Sequence, residues 1–278
     1  MVRVGMAAVL AGLAVAAAAP AQAPAARFRW QTGQVLTYRV EQNTQAAETV
    51  GSDKVETKTK LTLVKRWQVQ AVDANGVATL QLSLAALRIE TTPPNGEALL
   101  FDSAAPDRSS PQLREQMGKY VGAPLAVLRI DPRGRVVEVK ESKFGPASRY
   151  ENEPPFVLTL PEGALQPGQK WERAYKMTLD PPQGAGEKYD AVQFYACKSA
   201  AASQATVLLA TTVKTLPASI ADRLPLLQLQ PEGEVIFDTH NGRMQSARLS
   251  IDKELKGHQG DDSSYHFQSS YVETLVNP

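Results

Sequence analysis

Alternation constrains this chain more than any other feature. In residues 61–72, Leu61, Leu63, Trp67, Val69 and Ala71 occupy odd positions, with Thr62, Arg66, Gln68 and Gln70 between them. That is the period of two expected of a strand with one buried and one wet face. Asp73-Ala74-Asn75-Gly76 follows, a turn whose Asn and Gly tolerate positive φ. Residues 77–90 then return with Leu80, Leu82, Leu84 and Ala86 in phase. The phase slips afterwards, because Leu87 and Ile89 are apolar on odd positions. One extra residue has to be absorbed, and the slip predicts a β-bulge or bend at residues 85–87.

The same grammar recurs along the chain. Residues 128–139 read as a hairpin through Ile130-Asp131-Pro132-Arg133-Gly134. Val235-Ile236-Phe237-Asp238 leads through Thr239-His240-Asn241-Gly242 into a strand whose Ala247, Leu249, Ile251 and Leu255 share one face. Gly33-Gln34 opens a strand near the start and is echoed by Gly168-Gln169. Two short helices are expected, each before the last hairpin of its half. One is residues 111–121, with Ser110 as N-cap, Gly122 as stop and an apolar stripe of Leu113, Met117, Tyr120 and Val121. The other is residues 217–224, with Ile220 and Leu224. The reading is a mainly β protein of long curved antiparallel sheets, an open half-barrel or two related β units, with two short helices. Glu153-Pro154-Pro155, Pro161-Glu162-Gly163 and Pro167-Gly168 separate a β-rich half at 24–160 from a second at 161–278. The second half is either a degenerate repeat of the first or one continuous domain with it.

Residues 1–23 read as a signal peptide: Arg3, an apolar run over residues 4–19, and Ala21-Gln22-Ala23 as the cleavage site. The run is too short for a comfortable membrane span. An exported product, periplasmic or extracellular, is therefore expected, beginning near Pro24 and not integral to a membrane. Cys197 is the single cysteine, so no intramolecular disulfide can form. It also lies far from the cleavage site, which argues against a lipid anchor. It reads as a small packing residue of a strand at 191–199. There are 30 Lys and Arg, of which Arg3 leaves with the signal, against 29 Asp and Glu. Such balance favours neither nucleic acid nor an anionic membrane surface.

The chemistry-bearing residues are sparse. His258, Asp261, Asp262 and His266 crowd together, but His258-Gln259-Gly260-Asp261-Asp262 reads as a mobile loop, and zinc asks for ligands on ordered structure. His266 falls on the polar face of a strand at 264–276, opposite Tyr265, Phe267 and Tyr271. Glu151, Glu153 and Glu162 flank the proline-rich stretch and read as solvated carboxylates rather than an acid/base pair. Nucleophile elbows and phosphate-binding glycine loops are missing from the sequence. Trp30, Trp67, Trp171, Tyr38 and Tyr175 read as strand-borne core aromatics. No catalytic residue, metal ligand or cofactor is assigned, and the ligand-binding residues stay unknown.

A curved sheet incompletely closed by amphipathic helices resembles the open half-barrels of bacterial lipoprotein and lipid carriers. The order of Gly33-Gln34, Gly168-Gln169 and Phe237-Asp238 with Gly242 is similar to a family of exported bacterial β-rich proteins of uncharacterised function. That resemblance implies a compartment and a β fold, and brings no catalytic residues. The function expected is a non-enzymatic binding protein carrying an apolar ligand, lipid or lipidated protein, on a concave sheet face. The alternatives are a structural or protein-interaction module of the cell envelope, and a metal-dependent hydrolase using the 257–266 loop.

Overall fold

The computed structural model describes residues 25–94, 96–151 and 156–276. The signal segment and Glu153-Pro154-Pro155 lie outside them. The described chain runs β1 (Val35–Val50), β2 (Asp53–Val72), β3 (Ala78–Thr92), β4 (Leu99–Asp102), α1 (Pro111–Met117), β5 (Pro124–Ile130), β6 (Val136–Ser142), β7 (Lys170–Leu179), β8 (Glu187–Ala200), β9 (Gln204–Val213), α2 (Leu224–Leu227), β10 (Glu232–Asp238), β11 (Arg243–Lys256) and β12 (Ser263–Leu275). All twelve strands belong to one antiparallel sheet in the order β6-β5-β3-β2-β1-β12-β11-β10-β9-β8-β7, with β4 added beside β3. The sheet does not close into a barrel. Its centre is the pairing of the first strand with the last, Tyr38 opposite Leu275 through Val50 opposite Ser263.

The predicted bulge falls where the phase slip demanded it. Val64 pairs with Ala86 and Lys65 with Leu84, which leaves Ala85 as the extra residue. Leu80, Leu82 and Leu84 before it and Leu87 after it are all buried. A further shift sits between Ile236 and Phe237, and such bulges bend and twist a long sheet. The two Gly-Gln motifs adopt the same local structure. Gly33 N–H donates to Val69 O, Val69 N–H to Gln34 O and Gln34 N–H to Gln31 O; Gly168, Cys197 and Gln169 donate to Cys197, Gln169 and Gln166 in the same pattern. Both glycines sit at positive φ, +85° and +83°.

The helices differ from expectation in detail. α1 ends at Met117 and gives way to a 3-10 turn, and Ser110 Oγ accepts from Leu100 N–H instead of capping the helix. The second helix is displaced toward the C-terminus: a 3-10 turn covers Ala221–Arg223, and α2 follows with Pro225 in its first turn. Proline is tolerated there because that N–H has no intrahelical partner to lose. Leu226 and Leu227 are buried in consequence, and Ile220 is exposed.

The strand ends beside the 131–134 and 238–242 turns form a filled end. Residues 156–160 cross it as an irregular strap: Phe156, Val157, Leu158, Thr159 and Leu160 are all buried. A buried strap without regular structure must satisfy its backbone elsewhere. Leu160 N–H donates to Arg133 O and Arg133 Nε to Leu160 O at one edge of the sheet; at the other edge Tyr195 Oη donates to Val157 O and Trp171 Nε1 to Thr159 O. The strap therefore ties together two margins that the strands leave unjoined. Phe156 meets Trp67 edge-on at 5.1 Å between ring centroids, and Phe28 meets Phe237 at 5.1 Å. Gly134, at φ +86°, is required by this packing, since a Cβ there would stand 2.4 Å from the Phe28 ring. Cys197 is buried in the same interior, and burial pushes its thiol pKa up.

Candidate functional site: a half-polar groove at the open end

Toward the other strand ends the strap is gone and the concavity stays open. A groove of about 710 Å³ lies there. Tyr175, Met177 and Leu179 of β7 line one side; Gln42 and Thr44 of β1, Ile251 of β11, and Phe267 and Ser269 of β12 line the other. Gln228 and Leu229 after α2 and the 3-10 turn Ala147–Tyr150 complete it. A smaller space of about 220 Å³ shares Gln42, Gln228, Ile251 and Ser269 with the groove and has the strap's Val157 in its wall. The groove thus begins where the filled interior stops.

Alternation decides which side chains arrive. Gln42 lies opposite Tyr271 and Leu61, Thr44 opposite Ser269 and Thr59, and Ala46 opposite Phe267, all on the concave face. α2 is wedged between the walls. Leu226 packs with Met177, Leu179, Ala191 and Val213, and Leu227 packs with Ile251 and Phe267. Tyr175, expected in the core, is half-buried and forms part of the groove; burial raises its hydroxyl pKa to about 12, so the ring presents a neutral O–H.

Beneath the groove lies a buried ion pair. Lys65 occupies an inward position of β2, Glu273 an inward position of β12, and their charged atoms are 3.5 Å apart. Lys65 Nζ donates to Tyr271 Oη at 3.2 Å, and Tyr271 Oη donates to Glu273 Oε2 at 2.8 Å. Tyr38 nearby donates to Met244 O at 3.0 Å, and burial reinforced by the Glu273 charge pushes its pKa far up. The pair is neutral as a unit and is bridged by the Tyr271 hydroxyl, which favours the toleration of buried charge. In the sequence Lys65 interrupts the apolar stripe of Leu61, Leu63, Trp67 and Val69. Its signal is there all the same, a cation on the inward phase of a strand.

The histidine cluster separates. His266 is on the outer face and meets Asp252 Oδ1 at 2.6 Å, which lowers the Asp252 pKa. His258, expected in a mobile loop, is buried instead, with Nε2 2.8 Å from Glu48 Oε1 on the concave side. The loop is ordered by Gly257 N–H on Ser263 O and by Ser263 Oγ, which accepts from Gln259 N–H and donates to Gly260 O. Among the described residues no three His, Cys, Asp or Glu side chains gather to hold a metal ion. Glu162 is exposed and meets Arg133 at 3.5 Å, Glu151 is exposed beyond a 3-10 turn, and Glu153 lies outside the described residues. No described helix is long and apolar enough to cross a membrane.

No family model matches the chain, and no curated protein matches it. Among solved structures it is similar to lipovitellin, in a structure of that protein's lipid–protein interactions, with a TM-score of 0.51 and 13% identity over 89% of this chain. At that identity the likeness shows the fold alone, and this chain spans 25% of the lipovitellin chain's length. DynF, from the dynemicin biosynthesis pathway of Micromonospora chersina, covers 93% of this chain and 88% of its own at 9% identity; its TM-score of 0.24 carries no argument.

Proposed function

We propose that this protein is an exported, non-enzymatic binding protein that holds an apolar or amphipathic ligand in the open-end groove. One observation carries the reading: a sheet that fills one end of its concave face with buried aromatic and aliphatic side chains leaves a groove of about 710 Å³ at the other. That volume lies within the 300–1,000 Å³ range of small-molecule sites. Phe267, Ile251, Met177 and Leu179, largely buried in the core, and half-buried Leu229 turn their remaining apolar surface toward this space. The fold-level likeness to lipovitellin, whose solved structure concerns lipid–protein interactions, adds support of a general kind.

The test is native mass spectrometry and solvent extraction of protein purified from its own envelope without detergent, together with binding of a fluorescent acyl probe. A co-purifying lipid and saturable probe binding that Phe267→Glu abolishes are expected. An empty groove that takes up no probe would overturn the reading. Export is checked by sequencing the N-terminus of the fractionated protein, expected near Pro24; an intact precursor in the cytosol would overturn that part.

A second reading, a docking module, is favoured by a different surface. Phe194 and Leu208 are each about two-fifths exposed on the outer face and form a small apolar patch with Ala210 and Ala196 directly opposite them. If Phe194→Ser abolished association with an envelope partner while acyl-probe binding stayed absent in the parent protein, this reading would replace the first.

A further inference from the structure

The polar wall of the groove carries information about the ligand's head. Thr91, Thr59, Thr44 and Ser269 stand directly opposite one another across β3, β2, β1 and β12, a row of four hydroxyls on the concave face. Thr59 and Thr91 Oγ1 are 3.4 Å apart, as are Thr44 Oγ1 and Ser269 Oγ. Gln42, one row nearer the filled end, donates to Ser269 Oγ at 3.2 Å. Gln228 reaches the same space from the segment after α2. These contacts are long and use only part of what hydroxyls and amides offer, since each hydroxyl has one donor and two acceptor sites and each amide has both kinds.

Most charges near this belt are matched or stand outside it, while Lys253, opposite Phe267, holds the inward position of β11 one row nearer the mouth. Lys65 and Glu273 face each other below Tyr271. At the rim Lys176 is held by Asp190 at 2.6 Å and Asp180 accepts from Ser148 Oγ at 2.7 Å, while Arg149 is exposed. A charged head drawn down to the belt would lose its water and find no opposite charge in the rows of Gln42 and Thr44, an anion having Lys253 only from the next row, and that loss is penalised. A neutral ester, amide or glycerol hydroxyl group would exchange water for the belt at little cost.

We propose, building on the groove reading above, that the ligand is a single-chain amphiphile whose uncharged acyl ester or acyl amide lies against Gln42, Thr44, Ser269 and Gln228. Its tail runs along Met177, Leu179, Leu229, Ile251 and Phe267. Acyl glycerol and the acylated terminus of a lipoprotein share this chemistry.

The experiment is calorimetric titration of the full protein with five ligands of one tail: monopalmitoylglycerol, palmitoylated neutral dipeptide amide, palmitate, hexadecylammonium and lysophosphatidylcholine. The neutral ester or amide is expected to bind at least about 10-fold more tightly than palmitate or hexadecylammonium, because the charged heads give up hydration that a neutral belt does not replace. Gln42→Leu with Ser269→Ala should remove about that factor for the neutral ligands while leaving palmitate unchanged. Whichever neutral ligand leads distinguishes free lipid from acylated protein, and either ranking supports the belt. Equal or tighter binding of a charged ligand overturns this inference and leaves the groove reading standing. Should no ligand bind wild-type protein, the groove reading falls and the inference with it. The wild-type series decides even if the double variant misfolds.

Discussion

The two ends of the concave face share the long strands β1, β2, β3, β11 and β12 and meet opposite fates. At the filled end, inward positions carry Trp67, Tyr38, Leu80, Leu128, Ile130 and Phe237, and the strap inserts Phe156, Leu158 and Leu160 among them. At the open end, inward positions of β1, β2, β11 and β12 carry Gln42, Thr44, Thr59 and Ser269 beside Ile251 and Phe267. Strand geometry is common to both, so the difference lies in what crosses the concavity. An edge-to-edge strap hydrogen-bonded at both margins allows dense aromatic packing; a two-sided helix of four residues, α2, leaves space. The ion pair of Lys65 and Glu273 lies at the frontier between the two regimes.

The largest consequence concerns the strap. Phe156→Ala should cost about 3–5 kcal/mol, the range for emptying a buried aromatic site. Phe267→Ala at the open end should cost distinctly less, because its ring borders space already unfilled. Urea unfolding of both variants measures the contrast, and equal losses would break it. Next, Lys65→Met alone should cost about 3–5 kcal/mol by stranding the Glu273 charge, whereas Lys65→Met with Glu273→Leu should recover most of it. Additive losses in the double variant would mean that the pair is not a unit.

A smaller effect belongs to the 238–242 turn of the filled end. Burial opposes the Asp238 charge, but hydrogen bonds from the N–H and side chain of Asn241 outweigh it and hold the carboxyl below the usual range. A depressed folded pKa stabilises above the ordinary aspartate value of about 3.9 and is lost as pH falls through the folded value. Asp238→Ala should therefore cost about 1.5–3 kcal/mol at neutral pH, the range for hydrogen bonds to a charged group. The gap from wild type should narrow below about pH 4. A gap independent of pH would show that the carboxylate's charge plays no part.

Much of this architecture was legible in the chain because alternation reports faces directly. The slip between Leu84 and Leu87 gave the bulge at Ala85, and the turns at 73–76, 131–134 and 239–242 stand where their Asp, Asn and Gly residues ask for them. The strap was not legible. Phe156-Val157-Leu158-Thr159-Leu160 has neither period, and its backbone partners Arg133, Trp171 and Tyr195 are brought to it only by the curl of the sheet. The groove was equally silent, since Gln42, Thr44 and Ser269 look like solvated strand residues until register aligns them with Ile251 and Phe267. α2 starts later than residue 217 because Pro225, and not Pro217, stands in its first turn.

The finest distinction is at the belt itself. Thr44→Val keeps the shape and β-branching of the side chain, and the hydroxyl it removes makes only long contacts, 3.4 Å to Ser269 and 3.5 Å to Gln42. If the open end is shaped for a ligand rather than for stability, this change should alter the free energy of unfolding by less than about 0.5 kcal/mol, as at an ordinary surface position. The same type of loss at the filled end, Tyr195→Phe, removes a 2.9 Å hydrogen bond to a buried strap carbonyl and should cost about 1–3 kcal/mol. A Thr44→Val loss as large as that of Tyr195→Phe would make the hydroxyl row a structural ladder, and the contrast between the two ends would then be one of composition alone.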